Sequence, residues 1–562
     1  MRRRMLGFLL LPLFCLVAAA DAAADDPTLG LVGHWPLAGD ARDRSGAGRD
    51  LIEHGVRWGE AGDGAGKRQA ALFDGRTGYL ELPVEQSPAF GTGDFTLSLW
   101  AFVAAGQEDV PGDLVSHYDE RTRRGWRLTL KSSPGVTFSQ ANYRRLQFGV
   151  DDQRLTEWQE VGRPGDGLLA FALVDFQDSL YAGVCRPGKS ETGGLYRYLG
   201  GSNWEDCGAP DGSNTVTALA QWNDQLYVGT GKYRVAGSAL PESENTTLGG
   251  RIFRYEPSSK TFVDCGRLPD RDAVSGLVVY RDRLYAGSLY KPAGFFVYEG
   301  AQKWQELPTP SELRVESMTV YNGLLYATTY DGGRVFRFDG TTWSECGPIG
   351  EPGQNTQTYA FTTYQGRLLV GTWPSGRVYR LEPNDAWTDL GRLGEELEVM
   401  GMYVHNGRLF AGTLPSAEVY SFEPSGQWLK LAQLDATPNV KYRRAWTMAE
   451  HRGRLFCSTL PTGKIYAISA GQSVAADRDF PVGWTHVAAV RRGPSLELYL
   501  NGRRTQSTPV ASSAPYNLSA AAPLRLGLGQ DDYFYGALSD VRLYKRALAA
   551  DELQSFSTPV RR

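Results

Sequence analysis

One position of an internal repeat carries residues that could do chemistry. Eleven residues before Leu180, Leu226, Leu284, Leu325, Leu368, Leu409 and Leu455 stand Leu169, Thr215, Ala273, Arg314, Gln357, Glu398 and Arg444. The last four are an arginine, an amide, a carboxylate and a second arginine. Segments just beyond the leucines add Arg186, Tyr290, Tyr330, Asp331 and Trp373. Aromatic rings beside charged and amide groups suit a sugar, because the rings stack on its apolar face while polar groups bond its hydroxyls. Arg314, Arg443 and Arg444 could equally meet an anionic polysaccharide. Glu398, or a tyrosine near these arginines, is a candidate for proton transfer in a lyase or a hydrolase. Solvated loop ends have a similar composition, and that alternative stays open.

The elements that position these residues follow from the repeat. The leucines lie in "SLYAGV", "QLYVGT", "RLYAGS", "LLYATT", "RLLVGT", "RLFAGT" and "RLFCST", spaced by 46, 58, 41, 43, 41 and 46 residues. The one long gap holds a polar insertion, "KYRVAGSALPESENTTLGG". A period of about 40–50 residues with several short strands per unit is that of a propeller blade. One unit predicts strands over 399–404, 409–413, 418–422 and 428–431, with "HNG" supplying the positive φ of a tight hairpin. The eleventh-back position then opens the innermost strand, near the mouth of a central channel. Four residues before each leucine stand Phe176, Trp222, Tyr280, Tyr321, Tyr364, His405 and His451. They are expected to pack at a strand-to-turn junction rather than to act as acids or bases.

The segments "GGLYRYLGGSNW", "GGRIFRYEPSSKTF", "GGRVFRFDGTTW" and "SGRVYRLEPNDAW" resemble the kelch-type β-propeller in their glycines, aromatics and closing tryptophan. The seventh unit has no tryptophan segment, while "LTEWQEVG" at 155–162 is such a segment with no unit before it. Pairing the two would close a seven-bladed ring and remove both free edges.

The flanks do not repeat. Trp35 with "DRSG", "FDG" at 73–75, Trp100, "GWTHVA" at 483–488, "YLNG" at 499–502 and "GALSDVRLYKRAL" at 536–548 resemble a laminin-G-like, concanavalin A-type jelly roll split in two. His486 belongs to that framework. The resemblance implies carbohydrate or surface-protein binding and a rim calcium site in some members. Asp43, Asp74 and Asp540 match acidic positions of the family, and the other reading is that they fix turns through local backbone bonds.

Composition narrows the classes. Glycine is 66 of 562 residues and aromatics are 12%, which fits many short strands and tight turns. A net charge of −4 offers no basic footprint for nucleic acid. Arg2, Arg3 and Arg4 before an apolar run predict a signal peptide over 1–24, cleaved near Ala20–Ala24, and export without a membrane span. Cys207, Cys265 and Cys346 share one repeat position and read as small buried residues. There is no C-x-x-C pair, nucleophile elbow, phosphate loop or paired-histidine metal motif. The E-x-D-x-x-E strand of jelly-roll glycanases is absent too.

The expected architecture is all-β, a jelly roll over 28–152 and 473–558 with a seven-bladed propeller inserted over 153–472. The expected function is recognition of a polysaccharide, glycoconjugate or surface protein. A polysaccharide lyase or hydrolase and an assembly protein are the alternatives.

Overall fold

A computed structural model describes residues 26, 28–109, 111–508 and 514–557. The leader reading falls outside the described residues. Among those described, no helix is long and apolar enough to cross a membrane.

Two antiparallel sheets form a sandwich from both flanks of the repeat. In one, Phe95–Val103 lies between Gly483–Arg492 and Tyr535–Tyr544. In the other, Leu524–Leu526 pairs with Tyr79–Leu82 and Gly112–Asp119. Central strands thus take their partners from the opposite flank, and the two flanks share one core. Trp35, Phe95, Trp126, Phe148, Leu498 and Leu543 fill it. This is the concanavalin A-like arrangement, reached by strands whose inward residues alternate with outward ones.

The repeat forms a propeller-like ring of four-stranded antiparallel units. The unit read strand by strand above folds as Glu398–His405, Arg408–Leu414, Glu418–Phe422 and Trp428–Gln433. The inner strands Leu169–Phe176, Thr215–Trp222, Val274–Tyr280, Val315–Tyr321, Gln357–Tyr364, Glu398–His405 and Arg444–His451 touch one another in chain order. The last of them also touches the first.

"LTEWQEVG" completes the last unit: Gln159 and Glu160 pair with Ala467 and Tyr466. The outer tryptophans show why the ring needs that piece. Trp304, Trp343, Trp387 and Trp428 donate their indole N–H to the carbonyls of Cys265, Pro308, Cys346 and Leu390 in the preceding unit. Trp204 of the first unit donates to Val161, so the upstream segment provides the acceptor that a preceding unit provides elsewhere. The repeated cysteine position is therefore a seam between units. Cys185, Cys207, Cys265, Cys346 and Cys457 are all buried and free.

Sandwich and ring are continuous. Arg145–Leu155 pairs with Ala470–Asp479 in the sandwich, and the same two chains run on as the pair that closes the ring. A second junction was not foreseen. The segment 132–144, between the sandwich strands Arg124–Lys131 and Arg145–Leu155, enters the ring channel and is almost wholly buried. Its backbone bonds to Phe361, Leu219 and Asp175 of different inner strands, and Ser317 Oγ bonds to Gly135. Phe138 at its tip stacks on Phe171 at 5.3 Å and meets Tyr359 and Trp446. Gly135 is held at φ 77° against Met318 and Phe361, where an added Cβ would lie 3.0 Å from the Met318 carbonyl oxygen. The channel is therefore filled from the sandwich side.

Candidate functional site

The other end of the channel holds the predicted position. Arg314, Glu398 and Arg444 are buried there and Gln357 is half-buried. Arg314 is already engaged: its Nε and Nη2 donate to Asp331 at 2.9 and 3.1 Å, and its guanidinium lies 4.0 Å over Tyr330. Gln357 pairs across its hairpin with Trp373, which meets Tyr442 edge-on at 6.1 Å. The structure brings these groups to one mouth. Arg186 faces Glu191 at 3.4 Å in the first unit and shares no hydrogen bond with them. Tyr290 lies under the insertion, with Arg234 stacked 4.2 Å over its ring.

Arg444 is different from Arg314. Among the described residues no carboxylate lies at ion-pair distance from it; Nη1 donates to Ser238 Oγ at 2.6 Å, and the buried Nε has no partner. Its neighbour Glu398 is buried. Burial raises the Glu398 pKa to about 7, with only Arg444 acting against the shift.

Two parts of this site were not anticipated. Glu316, 1% exposed, stands two residues beyond Arg314, on the inner strand Val315–Tyr321. Burial, with Glu398 and Asp331 adding to it against Arg314, pushes its pKa to about 8, and Oε2 has no partner. The repeat holds a signal for it. Nine residues before the seven leucines stand Phe171, Thr217, Ser275, Glu316, Tyr359, Met400 and Trp446, among which Glu316 is the only ionised type. A shift in strand register between Val315 and Met318 leaves Glu316 in an irregular stretch, a common way for a strand to re-aim a side chain.

The second part is the insertion. It lies across the mouth: Tyr233 packs edge-on to Phe171 at 5.0 Å, and Ser238 meets Arg444. Asn214 ties it down through bonds to both the N–H and the carbonyl of Tyr233. Tyr233, Val235 and Leu240 were the apolar clues within a polar segment.

Two of the three acidic positions of the sandwich serve turns. Asp43 accepts from the amides of His34, Ser45 and Arg49, and Asp74 from those of Arg76, Thr77 and Gly78. Asp540 binds His34 Nε2 at 2.8 Å and Arg542. These oxygens are occupied by donors, and among the described residues no group of three or more His, Cys, Asp or Glu is arranged to hold a metal ion. Asp43 and Asp74 thus bond as the turn-fixing reading expects, while Asp540 is held by side-chain partners. His405 and His451 sit at the plugged end of the channel, where His405 Nδ1 lies 3.3 Å from Glu450.

The family model described as the concanavalin A-like lectin/glucanases superfamily matches residues 428–554. That span starts in the ring, at Trp428, and includes the sandwich strands that follow it. No curated protein matches the chain. Among solved structures, virginiamycin B lyase from Staphylococcus aureus is 12% identical, with 56% of this chain and 99% of that chain covered at a TM-score of 0.43. An extracellular domain from B. thetaiotaomicron is 14% identical, with 56% and 39% covered at 0.41.

Proposed function

We propose that this chain is an exported recognition protein in which a laminin-G-like jelly roll carries an inserted seven-bladed propeller, and that it binds a polysaccharide or glycoconjugate at the propeller mouth. The observation that carries the reading is Arg444: a buried guanidinium with an unpartnered Nε and no carboxylate at ion-pair distance among the described residues. A site for a ligand's carboxylate or hydroxyls has that character, since an arginine left unsatisfied in a folded interior is costly. Trp373, Tyr442 and Tyr330 supply rings for the apolar face of a sugar, and Gln357 supplies an amide. The plug closes the far end, so a ligand approaches only from this side.

A second reading, a lyase or hydrolase, is favoured by one feature. Glu398 and Glu316 have pKa values near 7 and 8, where a carboxyl group can both give and take a proton at neutral pH.

One experiment separates the readings. The protein is incubated with neutral and anionic polysaccharides while reducing ends, unsaturated products and saturable binding are measured. Binding without turnover, weakened by Arg444→Ala and by Trp373→Ala, is the expected result. Turnover lost in Glu398→Gln replaces recognition with catalysis. No binding to any member of the panel removes both and leaves the assembly reading.

A further inference from the structure

We propose a second saccharide site, distinct from the mouth: a groove between the first and last ring units, on the side facing the sandwich, that binds an acidic sugar. The groove has a volume of ≈ 490 Å³, within the roughly 300–1,000 Å³ usual for small-molecule sites. Its walls come from the strand Gly194–Gly200 and from the turn between Arg444–His451 and Arg454–Leu460. Asp178 marks the sandwich side, since it accepts a hydrogen bond from Gln506 at 3.4 Å.

Charge selects the ligand. Arg197, Arg452 and Arg454 line the groove against the single carboxylate of Asp178. Arg452 is held by Asp178 at 2.7 and 3.2 Å, and Arg197 is held from outside the groove by Glu205 at 2.6 Å. Arg454 lies 5.5 Å over Phe456, and among the described residues no carboxylate reaches it at ion-pair distance. The lining therefore has an excess of guanidinium, the group best matched to a carboxylate or sulfate.

The remaining wall selects a sugar over a simple ion. Tyr198 is fixed by edge contacts with Phe456 at 5.3 Å and His451 at 6.5 Å, and by donating its hydroxyl hydrogen to the Gly201 carbonyl at 3.0 Å. Leu199 beside it is 59% exposed. The ring of Tyr198 offers an apolar face next to the cations. A pyranose carrying an acid group presents that pairing, an apolar face and an anion a few bonds away.

The test is calorimetric titration of the full chain with trigalacturonate, its neutral methyl ester, a sulfated carrageenan tetrasaccharide and triglutamate. At least one acidic saccharide is expected to bind and to weaken as salt is raised, whereas the ester and triglutamate do not. In an Arg444→Ala background, which removes the mouth's contribution, that binding should persist, and adding Arg454→Gln should weaken it at least tenfold and Arg454→Lys less. Which acidic saccharide binds decides between carboxylate and sulfate. The proposal is overturned if neither acidic saccharide binds, if triglutamate binds as well, or if adding Arg454→Gln to that background leaves binding unchanged. It is also overturned if Arg444→Ala alone abolishes binding, which would place the ligand at the mouth.

Discussion

The two ends of the ring channel bury carboxylates of different inner strands, and Glu450 at one end is shifted the opposite way from Glu316 and Glu398 at the other. At the sandwich end, burial works to raise the Glu450 pKa, but Lys131 at 3.4 Å and His405 at 3.3 Å outweigh it and hold the group at about 2. Asp151, on a sandwich strand, takes both Nε and Nη2 of Arg408 at 2.8–3.0 Å, although burial outweighs that pair and raises its pKa. At the mouth, burial dominates, and Glu316 and Glu398 rise to about 8 and 7. What differs is the partner. Lys131 and Asp151 come from the sandwich, so the closed end fastens two bodies with satisfied charges. At the mouth Arg314 is paired with Asp331, but among the described residues Arg444, Glu316 and Glu398 have no ion-pair partner and remain for protons or a ligand.

That contrast can be broken in several places. The largest effect is expected from Phe138→Ala, which removes the ring at the tip of the plug. A loss of about 3–5 kcal/mol is expected for a buried phenylalanine, read by urea unfolding. A loss below about 1 kcal/mol would mean that the plug does not hold the two bodies together. Asp151→Ala should cost a similar or slightly smaller amount, about 3–5 kcal/mol, because it leaves Arg408 buried and unpaired. Adding Arg408→Met should recover much of it, and failure to recover would show that the pair is not the cause.

The mouth predicts a gain. Below the ordinary glutamate value of 4.5, Glu316 is protonated in both folded and unfolded chains. As pH rises the unfolded chain ionises first, so stability falls until the folded value of about 8 is passed. Glu316→Gln should therefore raise stability at pH 8–9 by on the order of 1–3 kcal/mol and change little near pH 4. Glu450 runs the other way: its contribution is present above 4.5 and is lost as pH falls toward about 2. Thermal melting of Glu316→Gln and Glu450→Gln from pH 3 to 9 checks the two signs together. The smallest effect is at the ring seam, where Trp204→Phe removes one hydrogen bond to Val161 and should cost about 0.5–1.5 kcal/mol.

The legible parts were those written locally. The alternation in "LSLWAFV" and the "HNG" turn mark strands and hairpins because side-chain period and positive φ depend on neighbouring residues only. Arg314, Gln357, Glu398 and Arg444 were found because the repeat puts them in register. Arg186, which comes from a loop rather than from that register, stands apart. Asp43 and Asp74 were ambiguous, since a carboxylate that accepts turn amides and one that binds calcium look alike until its donors are seen.

By itself the sequence determined the strands, the ring's repeating unit, the missing outer strand and the split sandwich. Each is a matter of periodicity or of edges that must find partners. Only the tertiary structure decided that "SSPGVTFSQANY" fills the channel, that "KYRVAGSALPESENTTLGG" crosses its mouth, and which buried acids are paired. The physical reason is range: a carboxylate's charge state depends on what packs around it, and Lys131 meets Glu450 across 319 residues of chain that no local pattern spans.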